Sequence, residues 1–320
     1  MEALTNLKAI LHSKRANIYL LEKCRVMQKD GRVLYLTKDE SENRYWNIPI
    51  ANTTVILLGT GTSITQAAIR ILASAGVVIG FCGGGGTPLL VSTEVEWMTP
   101  QSEYRPTEYL QGWMSFWFDE QKRLEAAKKF QVARIEFLRK IWVKDRDLLS
   151  AGFDANNDDI APLLENAEVK ISQALKVGKL LQVEAELTKR LYKIATSRTK
   201  RNNFVRDRNS TDKANAFLNH GNYLAYGLAA TTLWVLGIPH GFAVMHGKTR
   251  RGALVFDVAD LVKDSLVLPW AFICAMENTT DQEFRQQCLR AFTEHKALDF
   301  MFDQVKVIAL KHHEKKVEEL

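Results

Sequence analysis

Two places in the carboxy-terminal half carry side chains that by type and position suggest chemistry: Glu184, and the group His246, Asp257 and Asp260. In LLQVEAELTKRLY, Leu180, Glu184, Leu187 and Leu191 recur at i, i+4, i+7 and i+11, so on a helix the Glu184 carboxylate lies on the apolar seam. Glu186 instead has Lys189 and Arg190 three and four residues on, the pattern of a solvated, ion-pairing face. Burying an unpaired carboxylate costs several kcal/mol, so Glu184 requires a metal, a proton or another cation. An arginine from elsewhere in the chain is the structural alternative. His246, Asp257 and Asp260 stand in MHGKTRRGALVFDVADLVKD. If Asp257 enters a helix, the two aspartates project from one face and repel unless a divalent ion lies near them. An imidazole with carboxylates is a usual ligand set for magnesium or manganese. The alternative makes Asp257 an N-cap, Asp260 a surface carboxylate and His246 a satisfied core histidine. Asp264, on the same side, is a further ligand candidate.

Phosphate binding is the second chemistry suggested. Lys+Arg number 43 against 37 Asp+Glu, a formal charge of +6. Between Leu187 and Lys213 nine cations, among them Lys189, Arg190, Arg198 and Arg201, face only Asp207 and Asp212. That segment holds the whole basic excess, and the remainder is close to −1. Such concentration attracts a polyanion, nucleic-acid phosphate being the commonest; a solvated helix end and loop is the alternative. Lys248, Arg250 and Arg251 form a second basic cluster beside His246. Asn215, Asn219, Asn222 and Tyr226 make a polar stripe at helical spacing, which either orients the metal site or ties helices together. Gly59–Thr65 follows a strand and opens a helix, but it lacks the P-loop lysine and carries Ile64 where a dinucleotide fingerprint needs glycine, so it reads as a turn. The Gly83–Gly86 run brings no chemistry of its own. The adjacent His312 and His313 point about 100° apart on a helix and read as a solvated tail.

The elements that must position these residues fall into two textures. Residues 1–98 are β-rich: apolar runs Ile18–Leu21 and Val33–Leu36 flank a hairpin signal at Asp30-Gly31, and Val55–Leu58 and Val77–Phe81 flank one amphipathic helix. Residues 99–106 read as a linker, and helical patterning dominates 107–320, in segments 107–149, 160–196, 212–237 and 281–313. The expected fold class is α+β, a small amino-terminal β-sheet domain followed by a larger all-α carboxy-terminal domain. With 46% apolar and 25% charged residues, composition excludes a disordered or fibrous chain. The four cysteines lack metal or disulfide spacing and read as reduced core thiols. Tyr223–Met245 is too interrupted to span a bilayer and reads as a core helix ending at Gly237-Ile238-Pro239. With no targeting signal in view, a cytoplasmic, non-membrane protein is expected.

LLQVEAELTKRLYK and NHGNYLAYGLAATTLWVLGIPHGFAVMHGKTRRGALVFDVADLVKD closely resemble the CRISPR-associated integrase family that acquires new spacers, in its type I-F subgroup; ILLGTGTSIT and GFCGGGG extend the likeness to the amino-terminal half. The resemblance implies an amino-terminal β domain and a helical catalytic domain in a homodimer. It implies Glu184, from an LLxxE[GA] motif, with His246 and Asp260 as metal ligands, and Asp257 assisting them in catalysis. Ala185 follows the glutamate where much of the family has glycine. The implied reaction is metal-dependent: a 3′-hydroxyl of a short DNA duplex attacks a phosphodiester at the border of a CRISPR repeat. Lys189, Arg190, Arg198, Arg201, Lys248, Arg250 and Arg251 would then meet phosphates. The implied partners are the small ferredoxin-like CRISPR adaptation protein, fused in this subgroup to the helicase–nuclease, and in some relatives a host DNA-bending factor. Competing readings are a non-catalytic DNA-binding scaffold and a nucleotide-binding enzyme using Gly59–Thr65.

Overall fold

Asp30 and Gly31 take positive φ of 50° and 71°, the backbone of a two-residue hairpin turn. They join strands β2 (Cys24–Lys29) and β3 (Arg32–Lys38), which pair antiparallel with Lys29 opposite Arg32. The remaining strands are β1 (Asn17–Leu21), β4 (Asn43–Asn47), β5 (Thr53–Leu58), β6 (Ser63–Ile64), β7 (Val78–Phe81) and β8 (Glu96–Met98). The computed structural model describes residues 17–38, 43–83, 96–98, 107–200, 204–207, 209–210, 212–247 and 252–311. The expected linker 99–106, Gly84–Gly86, Arg201, Lys248, Arg250, Arg251, His312 and His313 lie outside them. The chain divides into two compact units, Met1–Arg105 and Pro106–Leu320.

The described residues of the first unit form two four-stranded sheets, ordered β1-β5-β7-β8 and β4-β3-β2-β6. β5 is buried along its whole length and pairs parallel with β1 and β7, which is why it reads as an unbroken apolar run. Helix α1 (Gln66–Ser74) starts at Thr65, whose hydroxyl accepts from Ala68 N at 3.3 Å. Its buried face, Ala68 and Leu72, packs with Leu21, Ile56 and Ile79 of one sheet and Val26 and Val33 of the other. The glycine-rich segment serves that assembly: Gly59 N and Thr62 Oγ1 both donate to Leu21 O at 2.8 Å, and Thr65 N donates to Val26 O at 3.0 Å. These are the bonds of the expected turn.

The described part of the second unit is helical: α2 (Glu108–Trp117), α3 (Glu120–Trp142), α4 (Arg146–Ser150), α5 (Ala161–Ser172), α6 (Val177–Arg198), α7 (Lys213–Val235), α8 (Ala253–Val262), α9 (Leu268–Met276), α10 (Asp281–Glu294) and α11 (Ala297–Lys311). Three of the four expected long segments are divided. Asp119 and Asp145 cut 107–149, each side chain accepting backbone N–H groups of the next helix. Residues 173–176 separate α5 from α6, and Lys296, at φ 52°, separates α10 from α11. The fourth stands: α7 ends before Gly237, at φ 71°. Helices α8 and α9, joined by a π-turn at Lys263–Val267, are buried on nearly every side and were not among the expected segments. A helix buried all round carries no amphipathic stripe to read.

All four cysteines are buried and free; burial pushes the Cys274 thiol up to about 11 and that of Cys288 well above its ordinary value. Among the described residues no helix is long and apolar enough to cross a membrane.

Candidate metal centre

α6 carries Glu184, α8 carries Asp257 and Asp260, and the loop after α7 carries His246. One ligand atom from each of Glu184, His246 and Asp260 can be chosen so that all lie within 4.8 Å of one another. His246 Nε2 stands 3.5 Å from Glu184 Oε2 and 3.8 Å from Asp260 Oδ2. Asp257 works on the other side of the imidazole. Its Oδ1 lies 2.7 Å from His246 Nδ1, while its carboxylate accepts the backbone N–H groups of Val244, Met245 and His246 at 2.7, 3.1 and 2.9 Å. With Nδ1 engaged by Asp257, Nε2 is the ring nitrogen directed to Glu184 and Asp260. Asp257 is therefore not an N-cap: α8 begins at Ala253, and the carboxylate caps the incoming loop instead.

Buried Arg134 of α3 organises the opposite wall. Its Nε donates to Asp264 at 2.8 Å, its Nη2 to Thr188 at 2.8 Å, and its Nη1 lies 3.4 Å from Glu184 Oε1. Asp264 is thereby directed to Arg134 as its partner, a correction to its reading as a ligand. Glu184 meets the arginine alternative with one oxygen and turns the other towards the imidazole. Lys263 pairs with Asp260, its ammonium 5.4 Å from the centre of the Tyr226 ring.

The charges do not balance. Among the described residues, the carboxyl groups of Glu184, Asp257, Asp260 and Asp264 outnumber their permanently charged partners, Arg134 and Lys263. The strain falls on Glu184: burial, then the charge of Asp260, raises its carboxyl above the usual range despite Arg134 and His246. Burial also opposes ionisation of Asp260, but Lys263, Arg134 and His246 outweigh it and hold that carboxyl low. Burial disfavours the charged imidazole of His246, yet the Asp257 hydrogen bond and the charges of Asp260, Asp257 and Glu184 raise it. Two carboxylate oxygens and one imidazole nitrogen within reach of a single point fit a divalent cation such as magnesium or manganese.

Glu184 and Asp260 line a cleft of about 1490 Å³, whose wall includes Lys189, Arg190 and Arg206. Lys189 and Arg190 are exposed. Arg198 is engaged within the chain, its Nη2 2.8 Å from both carboxylate oxygens of Asp159 and its Nε donating to Gly152 O at 2.9 Å. Asn215 and Asn219 accept from Arg206 at 2.9 and 2.6 Å, and Asn215 also donates to Val205 O at 2.9 Å, so this pair ties residues 205–207 to α7. Asn222 and Tyr226 line the cleft itself. Sequence reasoning missed Arg134 and Lys263. A signal existed for both: Arg134 falls on the Phe130, Phe137, Ile141 seam as Glu184 does on its own, and Lys263 is three residues beyond Asp260.

Residues 18–298 match the family described as CRISPR associated protein Cas1. The CRISPR-associated endonuclease Cas1 of Pseudomonas aeruginosa (strain UCBPP-PA14) is 59% identical over 311 residues, 95% of this chain and 96% of that protein. Among solved structures, a casposase bound to integration product superposes with a TM-score of 0.68 at 16% identity, covering 93% of this chain and 91% of that one. A partial Cas6-RT-Cas1–Cas2 complex gives 0.61 at 13% identity, covering 94% and 96%. At such identities both speak for a shared fold.

Proposed function

The chain belongs to the family of CRISPR associated protein Cas1, and we propose that it is the integrase and endonuclease of CRISPR adaptation, inserting short duplex DNA at a repeat border by attack of a 3′-hydroxyl on a phosphodiester. The observation that carries this reading is the convergence of Glu184, His246 and Asp260, the first and last of which line a cleft with basic walls. The endonuclease relative supports phosphodiester chemistry, and the casposase held with its integration product supports joining. Magnesium or manganese bound by those three residues would supply Lewis acidity, lowering the pKa of the attacking hydroxyl and neutralising charge at phosphorus. Asp257 fixes the imidazole so that Nε2 faces inward. Arg134 orients Glu184 and keeps Asp264 paired. Lys189 and Arg190 meet phosphates without reading bases; Arg201, Lys248, Arg250 and Arg251 are assigned the same task from sequence alone. Asn215 and Asn219 support the cleft wall by holding Arg206. The protein acts as a homodimer in the cytoplasm, with a small ferredoxin-like adaptation protein as partner; the assembly of a Cas1 with Cas2 in the solved complex supports that pairing.

An integration assay with labelled duplex and supercoiled target tests the reading. Strand transfer is expected with magnesium or manganese, and is expected to fall to background in EDTA and in Glu184→Ala, His246→Ala and Asp260→Ala, while gel-shift DNA affinity persists. Full activity in Glu184→Ala, or transfer that survives EDTA, sinks it in favour of a DNA-binding scaffold.

A further inference from the structure

His246 reaches the centre from a loop, and a loop side chain keeps a ligand position only if its backbone is fixed. Asp257 holds the N–H groups of residues 244–246 from one side. Helix α2 grips the preceding carbonyls: Trp113 Nε1 donates to Phe242 O at 3.0 Å, and Trp117 Nε1 donates to Ala243 O at 2.8 Å. The two tryptophans are four residues apart, so both indoles leave one face of α2. Trp117 also meets the Phe242 ring edge-on, with centroids 4.8 Å apart. Arg123 steadies Trp117, donating to its carbonyl at 2.8 Å with the guanidinium 5.6 Å from the ring centre. A third tie runs through Gln131, whose Nε2 lies 3.4 Å from Met245 Sδ and whose Oε1 accepts from Arg134, the partner of Glu184.

A buried indole needs one acceptor, and any carbonyl would serve. Here two indoles from one helix face take successive carbonyls of a single loop, four and three residues before the imidazole that faces Glu184 and Asp260. We propose that Trp113 and Trp117 are positioning residues of the metal centre: their N–H groups set the path of residues 242–246 and so place His246 Nε2 opposite the two carboxylates. The proposal rests on the reading of Glu184, His246 and Asp260 as metal ligands.

The variants Trp113→Phe and Trp117→Phe, singly and together, keep an aromatic ring and delete the donor. In the full-length chain, manganese affinity is measured by titration calorimetry, and amide hydrogen exchange is followed at residues 244–246. Each single variant is expected to weaken manganese binding about tenfold and the pair up to about a hundredfold, the range seen when a residue that orients a ligand is replaced. Exchange should quicken at 244–246 and stay unchanged across α7. Phe118→Ala, altering an exposed neighbour, should bind manganese as the parent does. Trp117 is only partly buried, so its single variant decides the matter if the double variant does not fold. Unchanged manganese affinity in Trp117→Phe, while His246→Ala weakens it, overturns the positioning role and leaves the metal centre standing. Weaker binding accompanied by faster exchange throughout α7 overturns it too, since that marks general loosening. Manganese affinity indifferent to His246→Ala removes the metal reading on which the proposal stands.

Discussion

Arg134 shows how one side chain ties the centre to the core. Burial works against its charge, but Asp264, Glu184 and Asp260 outweigh that and raise its pKa far above the ordinary value. Replacing it by methionine keeps much of the volume and leaves Asp264 and Glu184 buried without their cation. Arg134→Met is therefore expected to lose about 3–5 kcal/mol in urea unfolding. Part of that loss should return on adding manganese, because an ion bound only by the folded state stabilises it. A parental unfolding midpoint in the variant would show that the carboxylates do not depend on this arginine. The sequence placed Glu184 on an apolar seam and so demanded a cation. It did not say which one, because α3 and α6 come together only in the packed molecule.

Helix ends were the least legible elements. Asp119 and Asp145 each interrupt a continuous helical pattern, because a capping aspartate competes for backbone N–H groups wherever the chain can turn. At the start of α10, Thr280 and Glu283 form a reciprocal capping box: the hydroxyl accepts from Glu283 N at 3.3 Å and the carboxylate from Thr280 N at 2.7 Å. Thr280→Ala is expected to lower stability by about 1 kcal/mol in chemical denaturation. The backbone N–H of Thr280, with its hydroxyl, holds the Glu283 carboxyl below its ordinary value of 4.5. A group whose folded pKa is depressed stabilises the protein above its unfolded pKa, and that contribution fades as pH falls through the folded value. Glu283→Gln should therefore cost stability above about pH 4.5 and match the parent more closely in stronger acid. A constant difference across that range would contradict the assignment.

Across the whole molecule, folding sorts a basic segment that composition could only count. Lys189 and Arg190 stand exposed on the cleft wall, whereas Arg198 is tied to Asp159 and Gly152. The Lys189→Ala, Arg190→Ala double variant is expected to shallow the plot of log DNA affinity against log salt by up to about 0.9 for each phosphate no longer neutralised. Arg198→Ala should keep the parental slope and instead loosen the loop at residues 152–159, seen as faster amide exchange there. Equal slopes in all three proteins would remove Lys189 and Arg190 from the phosphate path.

By itself the sequence determined that β structure precedes α structure, that Glu184 rather than Glu186 faces inward, that Asp257 and Asp260 would share a face once in a helix, and that the chain resembles the family to which it belongs. Each is a local regularity, carried by side chains a few residues apart or by motifs many residues long. Only the tertiary structure decided that the eight described strands form two sheets, that Asp257 caps the loop bearing His246, that Asp264 serves Arg134, and that two indoles of α2 grip residues 242 and 243. Those outcomes join groups far apart in the chain. Their hydrogen bonds and charge pairs gain strength from burial, and burial is settled only when the helices have packed.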